Sequence, residues 1–142
     1  MAGFGIRFSG EITGAIATPA GFFASEVSLG EHKEICFSDC SIWNPEDYII
    51  HWRLSAKALL DDNLPKLFCS SLERINAALW IGIPKGGVVL FYNRISKVSD
   101  LKVYNLTISP KSSFSEFVGK PSPKWSCWKV PLADLKRWAD GK

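Results

Sequence analysis

The clearest alternation of apolar and polar positions spans residues 45–61 and predicts a long helix. Apolar residues recur there at three- and four-residue spacing, as on one face of an α-helix: Tyr48, Ile49, Trp52, Ala56, Leu59 and Leu60. Asn44 can accept a backbone N–H as the N-cap, and Pro45 suits the first helical position, where no N–H is needed. The helix is expected to end at Asn63 and Pro65.

Strand-like segments lie on both sides of this helix. Short runs of alternating or continuous apolar residues predict strands at 10–17, 22–29 and 33–37, and then at 67–73, 77–83, 88–95 and 101–108. Pro84-Lys-Gly-Gly87 separates two of them as a hairpin turn. Residues 109–124 are expected to form a loop with one helical turn.

The C-terminal segment has the pattern of a short closing helix. Pro131 can open it, and Leu132, Leu135 and Trp138 then form one apolar stripe. Strands followed by a long helix, a strand meander and a short helix predict an α+β fold. We expect a twisted antiparallel sheet packed against the main helix and the short C-terminal helix. The 142 residues suit one domain, 1–142.

Composition favours a folded protein that does not cross a membrane. The chain is 46% hydrophobic and 13% aromatic, enough apolar surface to offset the entropy of the chain. The longest apolar runs, at 77–81 and 88–92, are too short to span a bilayer. The N-terminal residues do not resemble a secretory signal, so the expected compartment is the cytoplasm.

The four cysteines are expected to be buried, reduced thiols, as is usual for this residue in the cytoplasm. A zinc site formed by His32, Cys36, Cys40 and His51 can be imagined. Its spacing matches no common zinc motif, so no metal and no other cofactor is expected.

The sequence offers few groups for catalysis. Of its two histidines, His51 is predicted on the surface of the main helix. The pair Asp61-Asp62 is interpreted as a solvated helix end, although adjacent acids there oppose the helix dipole. No phosphate-binding loop and no Gly-x-Ser-x-Gly motif is present. We therefore expect no catalytic residues and no enzymatic activity.

Charge is divided unevenly along the chain, although the net charge is only +3. Residues 1–84 carry six Lys/Arg and ten Asp/Glu, whereas residues 85–142 carry eleven Lys/Arg and four Asp/Glu. Cations alternate with aromatic residues near the C-terminus: Lys120, Lys124, Trp125, Trp128, Lys129, Lys136, Arg137 and Trp138. Such a pattern suits a single-stranded nucleic-acid-binding protein. The other interpretation is that the tryptophans fill the core and the lysines are solvated.

Another group of aromatic residues surrounds the start of the main helix. Trp43, Tyr48 and Trp52 are predicted to belong to the structural core, since Tyr48 and Trp52 are four residues apart and share one helix face. Trp128 is predicted as a fourth core residue.

The segment Trp43-x3-Asp47-Tyr48-x3-Trp52 resembles the signature of a family of contact-dependent growth inhibition immunity proteins. The tail is similar to the ending of that family, with Ser126-Cys127-Trp128 followed by two leucines and Trp138. Members are bacterial cytoplasmic proteins that neutralise the C-terminal toxin domain of a large secreted effector; one protects against a toxin that cuts small-subunit ribosomal RNA. The resemblance implies a Whirly-like sheet and inhibition by binding, with no reaction. We expect a monomer or a weak dimer.

The resemblance and the charge distribution together suggest where a toxin would bind. Between Glu11 and Asp62 there are nine acids and three Lys/Arg. A toxin that cleaves nucleic acid needs a basic face, which an acidic surface can attract. The hypothesis assigns toxin contacts to five carboxylates: Glu31, Glu34, Asp39, Asp61 and Asp62.

Overall fold

The structure is a computed structural model that describes residues 3–11, 21–119 and 126–141. Its elements, in chain order, are β1 (Gly3–Glu11), β2 (Phe22–Gly30), β3 (His32–Asp39), α1 (Pro45–Asp62), β4 (Lys66–Leu72), β5 (Asn76–Lys85), β6 (Val88–Lys97), β7 (Leu101–Tyr104), β8 (Thr107–Pro110), α2 (Phe114–Val118), β9 (Cys127–Pro131) and α3 (Leu132–Ala139). This is the α+β architecture that the sequence predicts, with one main helix and a short C-terminal helix. The likeness to a Whirly fold stays a prediction.

The strands of the described ranges form three sheets, all with antiparallel pairing. One has the order β1-β2-β3, a second has the order β4-β5-β6-β9, and β7 and β8 form a separate hairpin. The sequence suggests a single sheet because successive strands usually pair. The pairing is instead interrupted by α1, which separates β3 from β4 along the chain.

Helix α1 begins and ends where its sequence predicts. The Asn44 side chain accepts the Asp47 N–H at 2.9 Å, and the Asp47 carboxylate accepts the Asn44 N–H at 3.0 Å, which completes a capping box. At the other end Asn63 adopts a left-handed conformation with φ 53°. A short polar side chain tolerates that conformation, which stops the helix.

Side chains of α1 satisfy backbone groups of β4, the edge strand of the four-stranded sheet. The Tyr48 hydroxyl accepts the Leu72 N–H at 2.8 Å and donates to the Asp39 carbonyl. The Trp52 indole N–H donates to the Cys69 carbonyl at 2.8 Å. These bonds join the helix, β3 and β4, and they explain why buried aromatic residues with polar atoms stand at these positions.

His51 completes this set of contacts, and the prediction of a surface histidine is wrong. The ring is fully buried. Its Nε2 accepts the Cys69 N–H at 2.9 Å, and its Nδ1 lies 2.7 Å from the Leu106 carbonyl, so Nδ1 carries the proton. The hairpin of β7 and β8 covers this side of α1, and no local pattern could indicate that.

The observed strands differ from prediction in three places. The first strand occupies Gly3–Glu11 instead of 10–17, and residues 12–17 lie outside the described part. The predicted strand 101–108 is a hairpin, since Asn105 turns the chain with φ 56°. β9 was not predicted, because a five-residue strand with lysine and proline carries little strand signal.

The C-terminal helix α3 packs against β1 and α1. Leu135 is fully buried, while the Trp138 ring lies under the Arg53 guanidinium, 5.0 Å from ring centroid to Cζ. Gly5 in β1 has φ 141°, and a Cβ there would lie 2.5 Å from the Trp138 ring. The close approach of this strand and helix therefore requires glycine.

The cysteines are free but not uniformly buried. Cys69 is buried, Cys36 and Cys40 are half-buried, and Cys127 is exposed. The prediction of buried thiols is therefore wrong for Cys127, which lies on the outer edge strand β9. Among the helices in the described ranges, none is long and apolar enough to cross a membrane.

Replacing Trp52 by alanine should lower the free energy of unfolding by about 3–5 kcal/mol, because a fully buried ring and its bond to Cys69 are lost. Leu54→Ala on the partly exposed side of the same helix should cost less than about 1 kcal/mol. Urea unfolding of both variants checks this. Similar losses in the two variants would contradict the assignment of Trp52 to the core.

Candidate protein-binding surface

Strand β3 presents two large apolar side chains to solvent beside Lys33, whereas the polar side chains that alternate with them face the protein. Ile35 is 60% exposed and Phe37 is 54% exposed. Glu34, Cys36 and Ser38 alternate with them and are less exposed. A strand at the surface of a fold normally does the reverse. Exposed apolar residues on an edge strand are typical of a surface that another molecule covers, so the outer face of β3 is a candidate for binding.

The inner face of β3 crosses the four-stranded sheet from one edge to the other. At its start, the His32 ring stacks on Trp128 of β9 with centroids 4.4 Å apart. At its end, the Ser38 hydroxyl donates to the Ser70 carbonyl of β4. A ring stack at one end and a hydrogen bond at the other thus attach β3 to the sheet, while Ile35 and Phe37 on the outer face remain mostly exposed.

A cleft of about 400 Å³ opens between β3 and the four-stranded sheet. It is lined by Glu34, Asn93, Ser126 and Trp128, from three strands and the residue before β9. Glu34 Oε2 lies 3.3 Å from His32 Nε2. The cleft therefore has a carboxylate and an indole ring on its wall.

Three of the five predicted toxin-contact residues lie along β3. Glu31 is exposed in the turn before the strand, and Glu34 borders the cleft. Asp39 at the end of the strand accepts the Ser41 N–H at 2.9 Å and the Ser41 hydroxyl at 2.6 Å. The Asp39 carboxylate thus stabilises the turn that leads into α1, whereas the two glutamates remain accessible.

The other two carboxylates lie elsewhere. Asp61 and Asp62 are exposed at the end of α1, where Asp62 pairs with Lys66 at 2.7 Å. Tyr48 of α1 bonds the Asp39 carbonyl. At a rise of 1.5 Å per residue, about 20 Å of helix separates Tyr48 from Asp61. The structure therefore does not unite the five residues in one acidic patch.

The aromatic residues assigned to the core fall into two groups. Trp43, Tyr48 and Trp52 are buried, with the Trp43 ring 5.4 Å from Tyr48. Trp128 is only half-buried and lies between His32 and Trp80, where it also borders the cleft. Trp128 thus belongs to the rim of the core.

The described part of the basic C-terminal region engages its aromatic rings within the protein. Trp138 packs on Gly5 and Arg53, and Arg137 pairs with Asp134. Lys129 and Lys136 are exposed. Three more predicted contacts lie outside the described residues: Lys120, Lys124 and Trp125. A nucleic acid would find exposed cations here, but the Trp138 ring is already packed.

The structure does not bring the four residues of the imagined zinc site together as a set of ligands. Both ring nitrogens of His51 are bonded to backbone atoms. Burial raises the pKa of Cys36 to about 11, and it raises the pKa of Cys40 to about 11. No group of three or more possible metal ligands occurs in residues 3–11, 21–119 and 126–141.

Sequence reasoning overlooked the outer face of β3. Alternation in Lys33-Glu-Ile-Cys-Phe37 indicates that Ile35 and Phe37 share one face and Glu34 and Cys36 the other. Which face is buried depends on the sheet beneath the strand, so alternation alone could not show that the apolar pair lies outside.

No family model matches this chain, and no curated protein matches its sequence. Among solved structures, it matches a chain of "CdiA-CT/CdiI toxin and immunity complex from Enterobacter cloacae", with a TM-score of 0.74 and 97% of each chain covered. The two chains share this fold. Their sequence identity is 17%, so the comparison extends to architecture and leaves individual contacts to be argued from this chain.

The stability of the protein should fall in mild acid because of His51. Burial lowers the pKa of this imidazole from 6.5 to about 4. Between these values the unfolded chain binds a proton that the folded chain does not, so the free energy of unfolding falls as pH decreases. We expect a loss of about 2 kcal/mol between pH 7 and pH 5 from this group.

Urea unfolding at the two pH values measures this loss. His51→Gln should remove that part of the pH dependence whatever its own stability, whereas His32→Gln should retain it. An unchanged pH dependence in His51→Gln would show that other groups are responsible.

Proposed function

We propose that this protein is an immunity protein that binds and neutralises the toxin domain of a contact-dependent growth inhibition effector. The observation that carries the proposal is the shared fold, over 97% of both chains, with a chain of a toxin–immunity complex. The signature from Trp43 to Trp52 supports it independently, since it resembles that of the immunity family.

A toxin–immunity complex contains a toxin and its inhibitor. The contacts of the two histidines favour the inhibitor as the counterpart of this chain. His51 has both nitrogens bonded to backbone atoms and serves the packing of α1 on β4. His32 stacks on Trp128 and bonds Glu34. Both histidines of the chain are thus occupied by structural contacts. The protein is proposed to act by binding alone, with no cofactor.

The finer parts of the proposal concern the partner. The toxin is proposed to be a nuclease, which must bind phosphate through a basic face. Glu31 and Glu34 beside the apolar residues of β3 would attract such a face and orient it, since complementary charge raises the association rate. Inhibition would take place in the cytoplasm, by one domain acting as a monomer or weak dimer.

Growth protection tests the function itself. The proposed cognate toxin domain should stop growth when expressed alone and should lose this effect when the present protein is co-expressed. The purified proteins should form a one-to-one complex in size-exclusion chromatography. Toxicity that persists despite stable co-expression would reject the proposal. Salt-sensitive binding of single-stranded RNA by the purified protein alone would favour the nucleic-acid alternative instead.

Two double charge-reversal variants test where the toxin binds. Glu31→Lys/Glu34→Lys should weaken toxin binding by about 2–5 kcal/mol, because two accessible carboxylates beside β3 are replaced by cations. Asp61→Lys/Asp62→Lys, at the far end of α1, is the matched control and should change binding little. Isothermal titration at two salt concentrations measures both. A loss confined to the helix-end variant would move the interface away from β3.

The apolar residues of β3 should contribute to binding and hardly to folding. Ile35→Thr/Phe37→Thr retains strand-favouring character at an exposed face, so the free energy of unfolding should change by about 1 kcal/mol or less. Toxin affinity should fall by about 2 kcal/mol or more if these side chains are anchors. Wild-type affinity in this variant would exclude the outer face of β3 as a contact.

A further inference from the structure

We infer that the cleft between β3 and the four-stranded sheet is a receptor for a guanidinium group, which in the complex is an arginine side chain of the toxin. This inference rests on the proposed function for the source of the arginine. The recognition of a guanidinium by the cleft does not depend on it, and the two can be tested separately.

The chemistry of the lining selects a cation. Among the lining residues that the structure describes, Glu34 alone is ionisable, and its carboxylate places a negative charge in the cleft. His32 Nε2 contacts Oε2 at 3.3 Å, and among the described residues the structure records no hydrogen bond to Oε1. Asn93 and Ser126 add an amide oxygen and a hydroxyl as acceptors.

The aromatic wall of the cleft favours a guanidinium over a compact ammonium. The indole of Trp128 borders the cleft and is held in place by the stacked His32 ring and by Trp80, 5.4 Å away. A guanidinium can lie against the part of this ring that borders the cleft, while its N–H groups donate to carboxylate and amide oxygens. The volume of about 400 Å³ accommodates a whole arginine side chain.

The placement of Glu34 indicates that the cleft is more than a gap in packing. Glu34 faces the four-stranded sheet, at a position where a strand that crosses a sheet ordinarily carries an apolar residue. Its apolar neighbours Ile35 and Phe37 face solvent instead. The reverse alternation would bury more apolar surface. The observed arrangement therefore buries less apolar surface and places a carboxylate in the cleft.

The cleft also adjoins the candidate surface. Glu34 and Ile35 are consecutive on β3 and point to opposite faces of one edge strand. A partner that covers Ile35 and Phe37 can therefore extend a long side chain around the strand edge to Glu34. Arginine has the reach and the five N–H donors that this requires.

A small probe tests recognition without the toxin. N-acetyl-arginine amide should shift the NMR signals of the Asn93 side-chain amide and the Trp128 indole N–H of the isotopically labelled protein, with saturation. N-acetyl-lysine amide should shift them less, and N-acetyl-glutamine amide should leave them unchanged. Glu34→Gln should weaken the response to the arginine probe about tenfold, because a charge-assisted pair becomes a neutral one. Glu31→Gln is the matched control and should respond like wild type.

Glu34→Gln also decides the role in the complex, with Asp61→Asn at the far end of α1 as its control. Toxin affinity should fall about tenfold or more in Glu34→Gln and stay within about twofold in Asp61→Asn. An arginine probe that shifts no cleft signal, or that binds Glu34→Gln as well as wild type, would overturn the inference. Equal toxin affinity of wild type and Glu34→Gln would overturn it for the toxin and leave the proposed function intact. Failure of the proposed function appears differently, as a wild-type protein that does not bind the toxin at all.

Discussion

The fold depends on how the outer edge of β4 is satisfied. An edge strand exposes a row of N–H and C=O groups, and groups that are buried without a partner cost about 1–3 kcal/mol each. Here side chains of α1 supply the partners. Tyr48 accepts the Leu72 N–H and His51 accepts the Cys69 N–H, while Trp52 donates to the Cys69 carbonyl. A helix thus takes the place of a neighbouring strand. The spacing of aromatic residues along α1 reflects the spacing of backbone groups along β4.

The sequence predicts features that depend on neighbouring residues and does not reveal contacts between residues far apart along the chain. The bounds of α1 follow from Asn44, Pro45 and the apolar period, all within the helix itself. His51 could not be assigned, because its covering carbonyl belongs to Leu106, 55 residues later. The orientation of β3 was equally hidden, since alternation defines two faces but not which of them meets another sheet. β9 is defined mainly by its pairing with β6.

The contact surface and the framework draw on different residues. Tyr48, His51 and Trp52 hold β4 and are buried, whereas Ile35 and Phe37 on the outer face of β3 are mostly exposed. Substitutions on that outer face are expected to affect folding little, because few core contacts are lost. The outer face can therefore vary in sequence while the framework stays the same.

The contact between Gly5 and Trp138 joins segments near opposite ends of the described chain. Closing so long a loop is slow, because its entropy is lost before the contact is gained. During synthesis, β1 emerges before the two helices that cover it, so its side chains Phe4 and Ile6 must wait for partners that are still untranslated. The packing of β1 is therefore complete only after α3 has left the exit tunnel.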